Sequence, residues 1–163
     1  MNHQDADPPS LPSAENGFLA GHIELLSRSL FTLTGRLLTE PGLTAAAAAS
    51  HIFHAPFVVL SHNTEPDPIL NYANLSGLKL FELDWDTLIH TPSRLTAEAP
   101  LREERQRLLQ QVSIRGYIDD YSGIRVSHNG RRFRIEQATV WNLQDENGQH
   151  KGQAAMFSKW EFL

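Results

Sequence analysis

The stretch GIRVSHNGRRFRIEQATVWNL, residues 123–143, places Asn129-Gly130 between two runs of alternating apolar and polar residues. Alternation with a period of two is typical of a strand with one buried face, and Asn-Gly favours a two-residue type I′ hairpin turn. A turn of that type puts Val126 opposite Phe133. The stretch therefore predicts a β-hairpin whose register is set by the turn.

A second Asn-Gly, residues 147–148, predicts another tight turn, with Glu146 opposite Gln149. Counting back from this turn places Arg134 opposite Glu161 in a third strand. The two turns together predict three neighbouring antiparallel strands in one alignment, so that local and long-range signals agree.

The predicted register gives one apolar face crossed by a polar row of Ser122, Gln137 and Ser158, with Thr139 beside it. Ligand pockets combine apolar walls with a few polar groups, so this row is predicted to orient a small ligand. The alternative is that these side chains satisfy one another inside a plain core. The remaining predicted ligand-binding residues are Tyr72, Trp85 and Tyr117 as walls, with Arg115 near the end of the row.

The opposite face is mostly charged but contains an apolar patch that needs a cover. The patch is predicted to be an interface and consists of Tyr121, Ala138, Val140, Ala155 and Phe157. The N-terminal helix or a partner protein is the predicted cover.

Apolar residues from Leu19 to Leu37 recur every three or four positions, which predicts a helix that stops at Pro41-Gly42. This helix either packs on its own domain or forms a short coiled-coil seam between two copies of the chain. Thr44 is the predicted N-cap of a second helix, residues 44–53.

The middle of the chain predicts two strands, 56–62 and 69–74, followed by short amphipathic helices from Leu75 and a longer helix, 100–112. The complete order is two strands, helices and then three antiparallel strands. This order predicts an α+β fold.

Composition excludes several classes of protein. With a net charge of −5, the chain is not built to coat nucleic acid or an anionic membrane. There is no cysteine, which removes disulfides and thiolate ligands. Residues 1–16 are polar and acidic, which predicts a disordered tail rather than a signal peptide and hence a cytoplasmic protein without a membrane span.

The element order resembles the PAS fold, and several blocks are similar to the MEKHLA domain. The blocks are LSH with PDP, NYAN, LFELDW, PSRLTAE, DYSGIRVS, GRRFRIEQATVWNL and GQAAMFSKW. The resemblance implies a PAS-like domain over residues 54–163, preceded by a helical segment over 17–53. Because MEKHLA domains are PAS-like, it also implies a sensory or protein-interaction role, and it brings no catalytic residues. These domains form the C-terminal part of plant homeodomain-leucine zipper factors and also occur as short bacterial stand-alone proteins, which is the type that this chain resembles.

Catalytic and metal-binding motifs are weak. His51, His54 and His62 lie near Asp67, but their spacing matches no metal motif, so no metal site is predicted. No nucleophile elbow, phosphate loop or dinucleotide fingerprint is present. A small enzyme with His62 or Asp67 as general base is the weakest alternative.

The arginines between Arg125 and Arg134 form a basic cluster in the predicted hairpin. A solvated strand face is favoured over an anion site, because alternation turns Arg132 and Arg134 to solvent.

The sequence thus predicts a PAS-like five-stranded antiparallel sheet, with helices on one face and an added N-terminal helix. As a function it predicts a stand-alone sensor that binds a small, partly apolar molecule between the sheet and the helices of residues 75–112. Signalling would use a homodimer or a partner protein; a protein-interaction module without ligand is the alternative. The cofactor stays open, including flavin or haem, although no cysteine is available for a flavin adduct.

Overall fold

The computed structural model describes residues 9–163, with the backbone alone for 99–101. The strands are β1 (Val58–His62), β2 (Leu70–Ala73), β3 (Tyr117–Val126), β4 (Arg132–Gln144), β5 (His150–Phe157) and β6 (Lys159–Phe162). The helices are α1 (Ala20–Thr34), α2 (Ala45–Phe53), α3 (Leu75–Leu80), α4 (Trp85–Leu88) and α5 (Ala99–Arg115), and a short 3-10 helix covers Ser93–Thr96.

All strand pairs are antiparallel, and the sheet order is β2-β1-β5-β4-β3, with β6 also paired to β4. The first strand therefore lies beside β5. β6 continues β5 after a break at Ser158, so five strand positions are filled. This confirms the predicted fold class.

Helix α1 ends earlier than its apolar spacing predicts. Gly35, with a φ of 73°, caps the helix in the left-handed conformation, so the predicted end at Pro41-Gly42 is wrong. Ile23 and Leu26 are buried within the chain, whereas Leu37 is 58% exposed. The apolar residues of α1 therefore pack on the sheet of their own domain, as the first of the two predicted alternatives requires.

Two capping residues fix the helices that precede and follow β1 and β2. Thr44 Oγ1 accepts a hydrogen bond from Ala47 N, which confirms the predicted N-cap of α2. Asn74, fully buried at the start of α3, bonds four backbone groups on three segments. A single side chain thus joins the end of α2, strand β1 and α3.

The hairpin between β3 and β4 has a three-residue loop instead of the predicted two-residue turn. Ser127 N donates to Arg131 O, and Gly130 has a φ of 90°. Val126 therefore pairs with Arg132, and the predicted pairing with Phe133 is wrong by one residue. A three-residue loop with glycine in the left-handed region is the next commonest hairpin after the two-residue form.

The second hairpin also has a three-residue loop, because Asp145 N donates to Gln149 O. The predicted pairing of Glu146 with Gln149 is therefore wrong. A bulge at Lys151 adds one residue to β5 and restores the predicted alignment beyond it. The prediction that Arg134 lies opposite Glu161 is confirmed.

Strand β4 changes faces at Gln137, whose φ of 52° breaks the alternation. Before this residue Phe133 packs edge-on against Phe81, with ring centroids 5.2 Å apart, on the side of α3. After it Trp141 Nε1 donates to Leu26 O of α1, 3.1 Å away. Regular alternation, on which the predicted faces depend, would put Phe133 and Trp141 on one face. They lie on opposite faces because the backbone acts as a bulge at Gln137.

The N-terminal residues 9–16 contact the domain. Trp85 Nε1 donates to Pro9 O at 2.7 Å, and Asn16 Nδ2 donates to Leu11 O at 2.9 Å. The prediction of a disordered tail is therefore wrong for residues 9–16, because the Trp85 indole at the start of α4 donates a hydrogen bond to this segment. Residues 1–8 lie outside the described part of the chain. Within residues 9–163 we find no helix with the length and apolarity that a membrane span requires.

Candidate functional site

A cavity of about 70 Å³ lies between the sheet and the layer formed by the 3-10 helix and α5. Most of its surface is apolar, which is usual for a ligand site. The apolar lining comes from Leu60, Leu70, Phe81, Leu109, Ile135, Val140, Ala154, Ala155 and Phe157. Hereafter this space is called the cavity.

The polar lining of the cavity is concentrated in eight residues from both layers. They are Ser61, His62, Ser93, Thr96, Arg105, Tyr121, Arg125 and Gln153. A surface groove between residues 63–68 and α5 shares His62, Arg105 and Gln153 with the cavity. The cavity is therefore adjacent to solvent at its polar end.

His62 and Gln153 are direct neighbours across the β1–β5 pair. His62 Nε2 and Gln153 Oε1 are both buried and have no hydrogen-bond partner within the described part of the chain. Buried polar atoms are paired in the great majority of cases, so two adjacent exceptions need an explanation.

A chain of hydrogen bonds fixes the orientation of the Gln153 amide. Val112 O can only accept, and Asn142 Nδ2 donates to it at 2.9 Å. Asn142 Oδ1 is therefore the atom that accepts from Gln153 Nε2, also at 2.9 Å. It follows that Gln153 presents its oxygen, an acceptor, as the unpaired atom.

His62 presents a second acceptor at the same place. Its Nδ1 lies 3.0 Å from Asn63 O, which can only accept, so Nδ1 carries the proton. Burial lowers the pKa of His62 below its ordinary value, and the charges of Arg105 and His150 act in the same direction, while the hydrogen bond to Asn63 O and the nearby Gln153 side chain act against them. The neutral ring then offers the Nε2 lone pair.

Two arginines supply the positive charge of the cavity. Arg105 Nη2 donates to Ser93 Oγ at 2.7 Å. Arg125 donates to Ile124 O and to the hydroxyl of Tyr121, and its guanidinium lies 5.1 Å from the Tyr121 ring centroid. All of these partners are neutral.

A hydrogen-bonded link joins β1 to α1 on the other side of the sheet. Ser61 Oγ donates to Asn71 Oδ1 at 2.6 Å and lies 2.8 Å from His22 Nε2. Ser61 immediately precedes His62 in the chain. The N-terminal helix is thus tied to the strand that carries one of the unpaired acceptors.

The predicted polar row does not enter the cavity. Ser122, Gln137 and Ser158 are exposed, and Gln137 Oε1 accepts from Lys159 Nζ at 2.9 Å. Thr139 is buried, but its hydroxyl accepts from Arg36, after the end of α1. The prediction of a polar row that binds a ligand is wrong, because the irregular backbone at Gln137 breaks the alternation from which the row was derived.

The other predicted ligand-binding residues do not line the cavity either. Tyr72 and Trp85 are buried and pack edge-on, with ring centroids 6.1 Å apart. The Tyr72 hydroxyl has no partner among residues 9–163, and burial raises its pKa. Arg115 is exposed, and Tyr117 is half-buried against the core.

The predicted interface patch lies inside the domain. Tyr121, Val140, Ala155 and Phe157 line the cavity, and Ala138 is fully buried. Helices α3 and α5 are on this side of the sheet, while α1 covers the opposite side. The prediction that the patch is a surface for partners is therefore wrong.

Sequence reasoning missed Arg105 and Gln153 and assigned Arg125 to the solvated face. A signal for Arg105 was present, because it lies four residues before Leu109 within the apolar stripe of α5. Arg125 lines the cavity beside Tyr121, which lies on the same face of β3. In the rest of the basic cluster, Arg132 pairs with Glu98 at 2.6 Å.

A family model described as the MEKHLA domain matches residues 20–162. The chain belongs to the MEKHLA domain family. Among curated relatives, the homeobox-leucine zipper protein ATHB-14 of Arabidopsis thaliana is 28% identical to this chain over 103 residues. ATHB-9 of the same plant is 30% identical over 107 residues. Each alignment covers 63% of this chain but 12% of the plant protein.

Solved structures show that this MEKHLA chain has the fold of PAS domains. The PAS domain of a protein from Colwellia psychrerythraea has a TM-score of 0.57 and 14% identity, over 71% of this chain and 92% of that chain. An RNA-binding light-oxygen-voltage receptor has a TM-score of 0.60 and 14% identity, over 73% and 34%. The light-state dimer of the fungal blue-light photoreceptor Vivid has a TM-score of 0.55 and 12% identity. The match covers 95% of this chain and 98% of that chain.

Proposed function

We propose that this MEKHLA-domain protein is a sensory regulatory module that binds a small, partly apolar molecule in the cavity. The observation that carries the proposal is the pair of unpaired acceptors, His62 Nε2 and Gln153 Oε1, beside apolar walls. Leaving a buried acceptor without a donor costs about 1–3 kcal/mol. An occupant that donates hydrogen bonds removes that cost for both atoms.

The size of the cavity favours a small molecule. About 70 Å³ is well below the roughly 300 Å³ at which sites for drug-sized ligands begin. A flavin or a haem does not fit a space of this size. The cavity also offers no cysteine for a thiol adduct, since the chain has none.

The link between Ser61 and His22 supports a route for the signal. A ligand that bonds His62 changes the position of β1, and Ser61 in the same strand holds α1. A ligand with different affinity for two positions of α1 shifts the population between them. We propose that α1 then changes a contact with a second copy or with a partner protein in the cytoplasm.

Native mass spectrometry of protein purified from its own host, followed by thermal-shift screening of neutral and charged metabolites, tests the proposal. A ligand at a hundredfold excess over its Kd stabilises by about 2.7 kcal/mol, or roughly 5–10 °C for a chain of this size. Gln153→Leu is expected to abolish the shift, whereas the exposed Gln149→Leu keeps it.

The opposite result is equally clear. If no compound co-purifies or shifts the melting temperature, and Gln153→Leu stabilises the protein, then the cavity is an ordinary part of the core. A water molecule that donates to both acceptors would account for them in that case.

A further inference from the structure

We infer that the cavity recognises a small organic anion that also carries a hydrogen-bond donor, of the class of the short α-hydroxycarboxylates. The inference rests on the proposed function, because it names the ligand class of the same cavity. It follows from two groups of side chains with opposite requirements, the arginine pair and the His62–Gln153 pair.

The arginine pair requires an anion. Within the described residues neither Arg105 nor Arg125 forms a salt bridge, and both bond only neutral oxygens. Nearby carboxylates have other partners, such as Asp67, which pairs with Arg94 at 3.1 Å. A guanidinium has five N–H donors in a planar fork, so both arginines retain donors suited to a carboxylate.

The electrostatics of the pair agree with an anion. Burial, and then the charge of Arg125, lower the pKa of Arg105 to about 10. The charged forms of Arg105 and Arg125 therefore repel each other at a site where burial already removes part of their hydration. A carboxylate between them would offset both the desolvation and the repulsion.

The other end of the cavity requires a donor. His62 Nε2 and Gln153 Oε1 both present lone pairs, which repel a carboxylate and accept from a hydroxyl or an amine. An ammonium group would add a third cation beside the two arginines. A neutral hydroxyl adds no charge beside the arginines and donates its one proton to either His62 Nε2 or Gln153 Oε1.

The volume limits the length of the ligand. A water molecule needs about 10–15 Å³ of such space, so about 70 Å³ holds on the order of five non-hydrogen atoms. Apolar contacts from Leu60 and Ile135 suit a short hydrocarbon portion. Lactate has these features and is the probe that we choose.

The test compares lactate, propionate and lactamide by titration calorimetry on the full chain, at one ionic strength and near pH 7.5. Propionate lacks the hydroxyl and lactamide lacks the charge. Lactate is expected to bind at least about tenfold more tightly than either analogue, because each analogue leaves buried groups unpaired. Equal or tighter binding of lactamide overturns the inference.

Variants test the role of the arginine within the same set. Arg105→Met keeps the aliphatic stem and is expected to weaken lactate about tenfold or more, while lactamide affinity stays unchanged. Arg107→Met, on the exposed side of the same helix, is the matched control and is expected to bind lactate like the wild type. Unchanged lactate affinity in Arg105→Met also overturns the inference.

Failure here is distinguishable from failure of the proposed function. If neither lactate nor propionate binds up to about 10 mM, but a neutral compound from the thermal-shift screen does, the inferred ligand class is wrong and the cavity remains a ligand site. If the three probes and the whole screen are negative, both proposals fall.

Discussion

Acid is expected to destabilise the fold by charging His22, whose buried ring lies between α1 and β1. The ring bonds Ser61 Oγ, which already donates its own proton to Asn71, so His22 Nε2 must be the donor. Burial lowers the pKa of His22 from 6.5 to about 4. The folded chain therefore holds this ring neutral at pH values where the unfolded chain protonates it.

The sign and size of the effect follow from linkage. The unfolded state takes up the proton near pH 6.5 and the folded state near pH 4, so stability falls as the pH drops through this window. At about 1.4 kcal/mol for each pH unit between the two values, the loss by pH 4 is about 3 kcal/mol. Above pH 6.5 this contribution is complete.

Urea unfolding at pH 7, 5 and 4 measures the loss, with His22→Gln as the matched variant. Glutamine keeps a donor in place of Nε2–H but does not titrate, so the pH dependence of the variant should be smaller by about 3 kcal/mol. His62, whose pKa is also lowered, titrates in both proteins and cancels in the comparison. An equal loss of stability in both proteins between pH 7 and 4 would refute the reasoning.

Three further changes test the fold. In Gly152→Ala the new Cβ would lie 1.9 Å from His62 O at a φ of 124°, so the free energy of unfolding measured with urea should fall by more than about 3 kcal/mol. The control Gly148→Ala has open space around the new Cβ and should lose about 1 kcal/mol. Asn74→Ala removes the side-chain bonds to four backbone groups, of which Ile52 O keeps a bond from Ala55 N, and should cost more than about 3 kcal/mol in the same assay. Trp141→Phe removes one buried bond to α1 and should lower stability by about 1–3 kcal/mol, measured by thermal melting.

Features set by local chemistry were predictable from the sequence. The Thr44 cap, the order of strands and helices, and the alignment of Arg134 with Glu161 all depend on short-range patterns. The alignment of Arg134 with Glu161 was predicted correctly from an incorrect turn type. The three-residue loop and the bulge at Lys151 shift the register in opposite directions, so their effects cancel. Agreement in the pairing therefore did not establish the turn type.

The candidate site was harder to predict because it depends on backbone conformation at single residues. A one-residue change in the first hairpin places Arg125 opposite Phe133, and no residue type in that turn excludes a three-residue loop. Arg105 and Gln153 reach the cavity from elements far apart in the chain. Only the packing of α5 on the sheet brings them together.

The conformation of Gln137 explains both the cavity and the position of the N-terminal helix. A regular strand would keep Phe133, Thr139 and Trp141 on one face and leave the other face mostly charged. The break turns Val140 to the cavity and Trp141 to α1, so both faces of the sheet are apolar near their centre. An antiparallel sheet buried on both faces needs a layer on each side. Helix α1 is therefore a part of the core, and the family match, which covers residues 20–162, includes it.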